Sequence, residues 1–506
     1  MLCHTNDIEM AQIRKTKTNS GAIAIQAVTY KNRKTIVLKH FGSGKTKGEE
    51  NTLIEDAQQW LEKYTGQPSL FSNKEEDRLL HLGVNRCAGM RYSCAHIVLT
   101  EILKHMGFTE LKNRLLMDLV IMRIFEPSSK VRTIELLARY FGITYTERTL
   151  YRELPKLLPY KEKAQETAVS FARKQLRSDL SFVLYDVTTL FFESTRTDDL
   201  RRHGFSKDNK PAQPQIVIGL LVNADGFPLR YEIFAGNTFE GKTILPVLRA
   251  FHNTYKTQTC CVVADAAMIS SKNINELKKE GLQYIVGARV ANMSPDIIDK
   301  ITTALKDQRD GASIRIAMPD GDLIASFSSS RYRKDKIEMD RQIAKAKALV
   351  EAQEPGKRAK FVISTLKAYS LNDKLIEKTK LLLGIKGYCT NIPQDKMSDA
   401  QIIEHYRNLW RVEQAFRMSK NDLVARPIFH HKIDSINAHL IICFIAQAVG
   451  KYIELKTGLS LRRIVDLLKQ VQDARIINTR TNEEILLPAL LTDNIKNVLT
   501  KLDVSY

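Results

Sequence analysis

The chain has 506 residues, 43% of them hydrophobic, and its Lys and Arg outnumber its Asp and Glu by 20. That is enough apolar material for about three packed domains, and it excludes a largely disordered or low-complexity protein. A positive surplus of this size points to a polyanionic partner, nucleic acid first, or else to a basic protein without one.

Residues 22–41, "AIAIQAVTYKNRKTIVLKHF", alternate like two strands around a Lys-Asn-Arg turn, so a small β-containing module is expected at the N-terminus. The stretch "HFGSGKT" that follows is not a P-loop, because that motif needs Gly five residues before Gly44 and Lys39 stands there. It is expected to be a flexible loop after a strand. From about 95 to 178 apolar residues recur at three- and four-residue spacings, the mark of helices. Within that segment a helix from about Lys130 to Tyr140, a turn at Gly142-Ile143-Thr144 and a second, basic helix from about Glu147 fit a helix-turn-helix that reads DNA. They fit an ordinary helical hairpin as well.

From Leu180 the pattern changes. "SFVLYDVTTLFFE" (181–193) reads as a strand, and a basic loop, "STRTDDLRRHGFSKDNKPAQ", follows it. Arg201, Arg202 and Lys207 in this loop are candidates for DNA contact. "PQIVIGLLV" is a second strand, and "NADG" a hairpin signal before a third, "FPLRYEIFAG". A helix at about 242–257, the short strand "TCCVVAD", another helix and "LQYIVGA" complete a mixed sheet covered by helices. Residues 290–386 break the rhythm and read as an insertion. "GYCTNIP" is one more strand, and Met397 to Lys420 is expected to form one long helix with Ser398 as its N-cap.

The seven cysteines are odd in number and lack a CxxC, which excludes a disulfide framework or a Cys-based zinc site and fits a reducing, intracellular protein. "MLCHTNDIEMAQIRK" has no apolar signal core. The apolar run from Leu440 meets Gln447 and Lys451 before the roughly 18 residues that a membrane span needs. A cytoplasmic chain without a membrane partner is expected.

Three acids stand out. Asp186 lies inside a strand, where Asp is depleted and a desolvated carboxylate is costly. Asp265 ends a strand, where ligand sites of α/β sheets open. Glu413 lies in the helix of 397–420. There Tyr406, Glu413 and Lys420 are seven residues apart, a spacing that drifts only about 20° per heptad and keeps them on one face. Each acid taken alone is equally an ordinary structural or surface residue.

Four blocks taken together carry a resemblance: "YDVTTLFFES", "HGFSKDNKPAQPQIVIGLLVNADGFPLRYEIFAGNT", "VVADAAMIS" and "YRNLWRVEQAFRMSKNDLVARPIFHH…INAHL". The chain resembles the DDE transposases of bacterial insertion sequences, in the branch with a β-rich insertion before the catalytic Glu. The likeness covers about 180–450. It implies a ribonuclease H-like fold, with Asp186, Asp265 and Glu413 as catalytic and metal-binding residues and two Mg²⁺ ions for which Mn²⁺ can substitute. It implies that the ends of an insertion sequence are cut and joined to target DNA. The implied partners are double-stranded DNA, as terminal inverted repeats and target, and a second copy of the chain in a synaptic homodimer.

The branch's helix signature places Tyr406, Glu413 and Lys420 at the DNA, but Leu409 stands where the signature has Arg, so Arg407 or Arg411 is expected to replace it. Some relatives hold a flipped base on a Trp of the insertion. Trp60 and Trp410 lie outside the insertion here, which leaves Tyr332, Phe327 or Phe361 for that role.

The expected organisation is a β-containing module (1–80), a helical, DNA-binding region (81–178) and an α/β catalytic domain in two parts (179–289 and 387–456). The insertion (290–386) separates those parts, and a helical C-terminus (457–506) follows them. A ribonuclease H-like nuclease that cuts without joining shares the same acids. A domesticated, non-catalytic DNA-binding protein would be expected to have lost one of them, and all three are present.

Overall fold

Alternating residues near the N-terminus form three antiparallel strands, β1 (Gln12–Lys17), β2 (Ile23–Lys31) and β3 (Lys34–Gly44), in the order β1-β2-β3, with helix α1 (Lys47–Thr65) against them. β1 escapes the sequence reading because Ile13 is its one apolar residue. The expected turn falls between β2 and β3, on residues 32–33, outside the described residues. "GSGKT" proves to be a strand end and a helix start rather than a loop: β3 runs through Gly44, and the Glu49 carboxylate accepts the backbone N–H groups of Lys45 (2.8 Å) and Thr46 (3.3 Å). An acceptor placed there satisfies donors that a helix N-terminus leaves open.

This computed structural model describes residues 11–31, 34–65, 85–255, 260–268, 270–307, 309–352, 359–364, 369–479 and 481–506. Residues 1–86 with 477–484 make one compact unit, and 87–476 with 485–506 the other.

Strand β4 (Asn85–Arg91), which belongs to the second unit from Cys87 on, leads into the helices α2 (Ser93–His105), α3 (Arg114–Phe125), α4 (Lys130–Leu136), α5 (Glu147–Glu153) and α6 (Tyr160–Lys174). α4 continues through a wider turn to Phe141 and closes at Gly142, whose φ of 73° suits a residue without Cβ. The Thr146 hydroxyl caps α5, which leaves Arg148, Tyr151 and Arg152 exposed.

The sheet is built from β5 (Phe182–Phe191), β6 (Gln215–Asn223), β7 (Pro228–Ala235), β8 (Cys261–Ala264), β9 (Gln283–Ala288), β10 (Ser313–Met318), β11 (Gly321–Phe327) and β14 (Ile385–Thr390). Their order is β10-β11-β14-β9-β8-β5-β6-β7. β5, β8 and β9 run parallel, while the flanking pairs are antiparallel. Helix α7 (Ile244–Tyr255) precedes β8, and α8 (Ser271–Lys279) connects β8 to β9. The architecture is thus the mixed α/β sheet that the pattern of strands calls for.

The inserted segment contributes β10 and β11 to this same sheet. Its other parts are α9 (Pro295–Ala304), α10 (Ser329–Ala352), the short pair β12 (Val362–Ser364) and β13 (Tyr369–Leu371), and α11 (Asp373–Leu381). Met339, Ala346, Phe361, Ile376 and Leu383 form a small core of their own there.

The long helix expected over 397–420 is broken. α12 (Asp399–Arg407) and α13 (Trp410–Arg417) are joined by i→i+3 hydrogen bonds from Leu409 to Tyr406 (3.0 Å), Arg411 to Asn408 (2.9 Å) and Val412 to Leu409 (3.2 Å). The run is thus interrupted by a tightened turn of the i→i+3 kind. Ser398 does cap α12: its hydroxyl accepts from Gln401 N–H, and the Gln401 side chain accepts from Ser398 N–H.

α14 (Ile433–Thr457) is longer than the apolar run that begins at Leu440 and, by length and composition alone, could cross a membrane. Instead 78% of its apolar window is buried inside the protein, against α3, α6 and β7. α15 (Leu461–Leu468) and α16 (Asp493–Leu502) pack beside it.

Because the box at Ser398 anchors the segment leading to α13, Ser398→Ala should destabilise the protein by about 1 kcal/mol and Ser398→Asp by far less. Urea denaturation checks this; equal losses in the two variants would contradict the capping role.

Candidate active site

β5 and β8 pair in parallel with Leu184 opposite Val263, and the ladder ends there. Two residues further along each strand come Asp186 and Asp265. The sheet therefore delivers two carboxylates at one level, just beyond the ladder the two strands share, Asp186 midway along β5 and Asp265 next after β8. Along β5 the alternation puts Asp186 with Leu184, Thr188 and Leu190, which are buried.

The Asp186 side chain is only 16% exposed. Burial is the main reason that its carboxyl is pushed up to about 6, and the negative charges of Glu240 and Glu413 add to the lift. The Lys207 ammonium, 3.8 Å from Oδ1, and the Val187 N–H, which donates to Oδ1 at 2.7 Å, work against it. Lys207 is itself firmly held. Its Nζ donates to the Val187 carbonyl (2.7 Å) and pairs with Glu240 (3.0 Å), and its backbone N–H donates to Thr189 Oγ1 (3.1 Å).

Asp265 is exposed and accepts a hydrogen bond from the Tyr406 hydroxyl at 3.1 Å. Burial comes first among the causes that hold this phenol in its neutral form, and the Asp265 charge is the second. Tyr406 reaches Asp265 across Gly287 of β9, where a Cβ would lie 2.6 Å from the hydroxyl. Lys386 sits over the Tyr406 ring, 4.3 Å from its centroid. Burial and then Arg331 draw the Lys386 amine below its usual range, while Asp265 and Glu413 act in the opposite direction.

Glu413 is exposed in the first turn of α13, which packs against β5 and β6. Its field reaches Asp186 on one side and Lys386 on the other. The three acids thus share one electrostatic neighbourhood at the end of the parallel strands. Among the described residues, however, no three His, Cys, Asp or Glu side chains converge tightly enough to hold a metal ion.

The donors fit Mg²⁺ in kind, since that ion takes carboxylate oxygens, one or two at a time, together with water and phosphate. They also fit in setting: a carboxyl lifted by burial and by other acids is one that a cation would relieve. Asp186, Asp265 and Glu413 would be the residues to hold it.

The other predicted contact residues are spread around this centre. Tyr406 is buried and bonded to Asp265, so it holds an acid rather than lying open to solvent. Lys420 pairs with Asp208 at 3.0 Å, and Arg426 pairs with the same carboxylate at 3.1 Å. Arg201 is buried, bonded to Asp198 and set over the Phe192 ring. Arg202 and Arg407 are exposed, beside Asp199 and Glu404. Arg411 lies 3.6 Å from Asp225. Phe327 and Phe361, offered as stacking residues, are core residues with 4% and 0% exposure, and Tyr332 packs on Phe327. Glu240, Lys386 and Asp208 were not read from the sequence, since each is a charged residue without a motif of its own.

Residues 177–448, more than half of the chain, match the family model described as "Transposase DDE domain", and the chain belongs to that family. No curated protein matches it.

The position of Asp186 has a measurable cost. A carboxyl raised in the folded state destabilises the fold above that pKa and costs nothing below its unfolded value. The lift from the ordinary 3.8 to about 6 is equivalent to about 2–3 kcal/mol. In EDTA at neutral pH, Asp186→Asn should therefore be more stable than the natural chain by that amount, with the gain vanishing near pH 4. Mg²⁺ or Mn²⁺ should then raise the melting temperature of the natural chain and not that of Asp186→Asn. Equal stability of the two proteins in EDTA at neutral pH would contradict this account.

Proposed function

We propose that this member of the transposase DDE domain family cuts the ends of its own insertion sequence and joins them to target DNA, with Asp186, Asp265 and Glu413 as the catalytic acids. The observation that carries the reading is the level placement of Asp186 and Asp265 at the end of the parallel β5–β8 ladder, with Glu413 on the helix packed against β5. Two divalent ions, Mg²⁺ or Mn²⁺, bound by these carboxylates would activate the attacking oxygen of a phosphodiester displacement and stabilise the leaving one. The attacking group is water in the cutting step and the freed 3′-OH in the joining step, so no nucleophilic side chain is required.

The chain's own residues do the positioning. Lys207 balances the charge of Asp186 and, with Arg202, Arg407 and Arg411, is proposed to meet backbone phosphates. Tyr406 fixes Asp265. The ion pairs from Lys420 and Arg426 to Asp208 tie down the loop that carries Lys207, so Lys420 serves the DNA site through its neighbour. The surplus of 20 positive charges suits double-stranded DNA, as terminal repeats and target. Two copies of the chain would bring two ends together. The exposed face of α5 is the proposed reader of the repeats.

The test uses a plasmid that carries the sequences flanking the reading frame, incubated with purified protein and Mg²⁺. Cut ends bearing 3′-OH groups and joined products are expected. Asp186→Asn, Asp265→Asn and Glu413→Gln should each lower both steps by well over the roughly 100-fold typical of outer-shell changes, with DNA binding retained. Cutting without joining, even from pre-cut ends, would favour a nuclease, and activity indifferent to all three acids would refute the assignment.

A further inference from the structure

Asp186 already has a cation beside it. The Lys207 ammonium lies 3.8 Å from Oδ1, and among the influences that favour the charged carboxylate it is the largest. Its closer partners are the Val187 carbonyl (2.7 Å) and Glu240 (3.0 Å), so the lysine is shared between two acids and leans to the second. At 3.8 Å it makes no hydrogen bond to Asp186. Leaving that carboxylate would therefore give up charge attraction alone.

The backbone and the head of this residue are held differently. The Lys207 N–H donates to Thr189 Oγ1 (3.1 Å), and the neighbouring Asp208 is clamped by Lys420 (3.0 Å) and Arg426 (3.1 Å). The Lys420 and Asp208 side chains are largely buried, so salt screens this clamp less than it would a surface pair. The loop is thus fixed. The Lys207 side chain, by contrast, is 29% exposed and ends a flexible four-carbon stem. Glu240 offers its ammonium a seat that does not involve Asp186. The frame allows the side chain to swing while the loop stays in place.

An ammonium at that distance opposes a divalent ion on the same carboxylate, because like charges a few ångströms apart in a part-buried site are weakly screened. A DNA phosphate supplies the attraction that draws it off. We propose that Lys207 makes metal loading at Asp186 depend on DNA. Without DNA the ammonium stands in for the missing positive charge and keeps metal affinity low. When a backbone phosphate takes the ammonium, the carboxylate is left to the metal. DNA and metal then favour each other through one side chain, and by linkage the factor is the same in both directions.

The inference rests on the proposed function, with Asp186 as a metal ligand and DNA as the substrate. Its test measures Mn²⁺ binding by electron paramagnetic resonance at fixed pH and salt. The full chain is titrated alone and with a duplex carrying one of the sequences that flank the reading frame, and the Mn²⁺ of interest is that which Asp186→Asn does not bind. DNA should tighten this binding in the natural chain. In Lys207→Met the affinity without DNA should rise about tenfold, and the tightening by DNA should shrink by about the same factor. Lys207→Gln, neutral but still able to donate to the Val187 carbonyl, should behave like Lys207→Met. Lys207→Arg should behave like the natural chain, which separates charge from packing, and melting temperatures show that each variant is folded. Neutral variants that bind Mn²⁺ no better without DNA, or a tightening by DNA that is equal in all the chains, would overturn the device and leave the transposase reading standing. Asp186→Asn binding Mn²⁺ as tightly as the natural chain with DNA present would overturn both.

Discussion

The parallel ladder between β5 and β8 stops at Leu184 and Val263, and the site depends on where it stops. Beyond that point β8 ends and β5 goes on paired with β6 alone, and each chain carries an acid there. The ladder fixes the relative height of Asp186 and Asp265 more rigidly than any loop could. The edge of β5 that the ladder no longer covers is where Lys207 reaches the Val187 carbonyl. A ladder longer by two residues would leave no room for that lysine.

The cost of this arrangement is a carboxylate drawn out of water, and the surrounding structure offsets it in layers. Lys207 and the Val187 N–H stabilise the charge of Asp186 directly. Asp208, the next residue, anchors the same loop through Lys420 and Arg426. On the other strand, Tyr406 holds Asp265 from a helix whose start is fixed by the Ser398–Gln401 box. After the tightened turn at Asn408–Leu409, α13 packs on β5 and β6, and the charge of Glu413 reaches Asp186. Two of the three acids remain exposed, which suits a site that must admit a polymer rather than enclose a small molecule.

The strands were legible because β5, β6 and β8 are continuous apolar runs bounded by turn residues, and Asp186 stood out against that background. Asp265 and Glu413 were legible through their blocks of local sequence. The break between α12 and α13 was not, since neither Gly nor Pro marks it and the i→i+3 bonds that make it carry no residue signature. Nor were the partners of two residues of this segment: Tyr406 donates to Asp265, and Lys420 to Asp208. Partners distant in sequence, such as Glu240 for Lys207, follow from tertiary placement alone. Phe327 and Phe361 were apolar residues that the insertion's own cores absorbed, while the exposed aromatics lie on the loops around β6 and β7.

On the proposed mechanism, these three acids close on common metal ions when DNA is present. The direct measurement is anomalous diffraction from crystals of the chain with a DNA end and Mn²⁺. Metal peaks are expected within coordination distance of the carboxylates of Asp186, Asp265 and Glu413 together, with Lys207 drawn away from Asp186. Peaks confined to other acids, or a Glu413 that stays outside the metal shell with DNA bound, would contradict it.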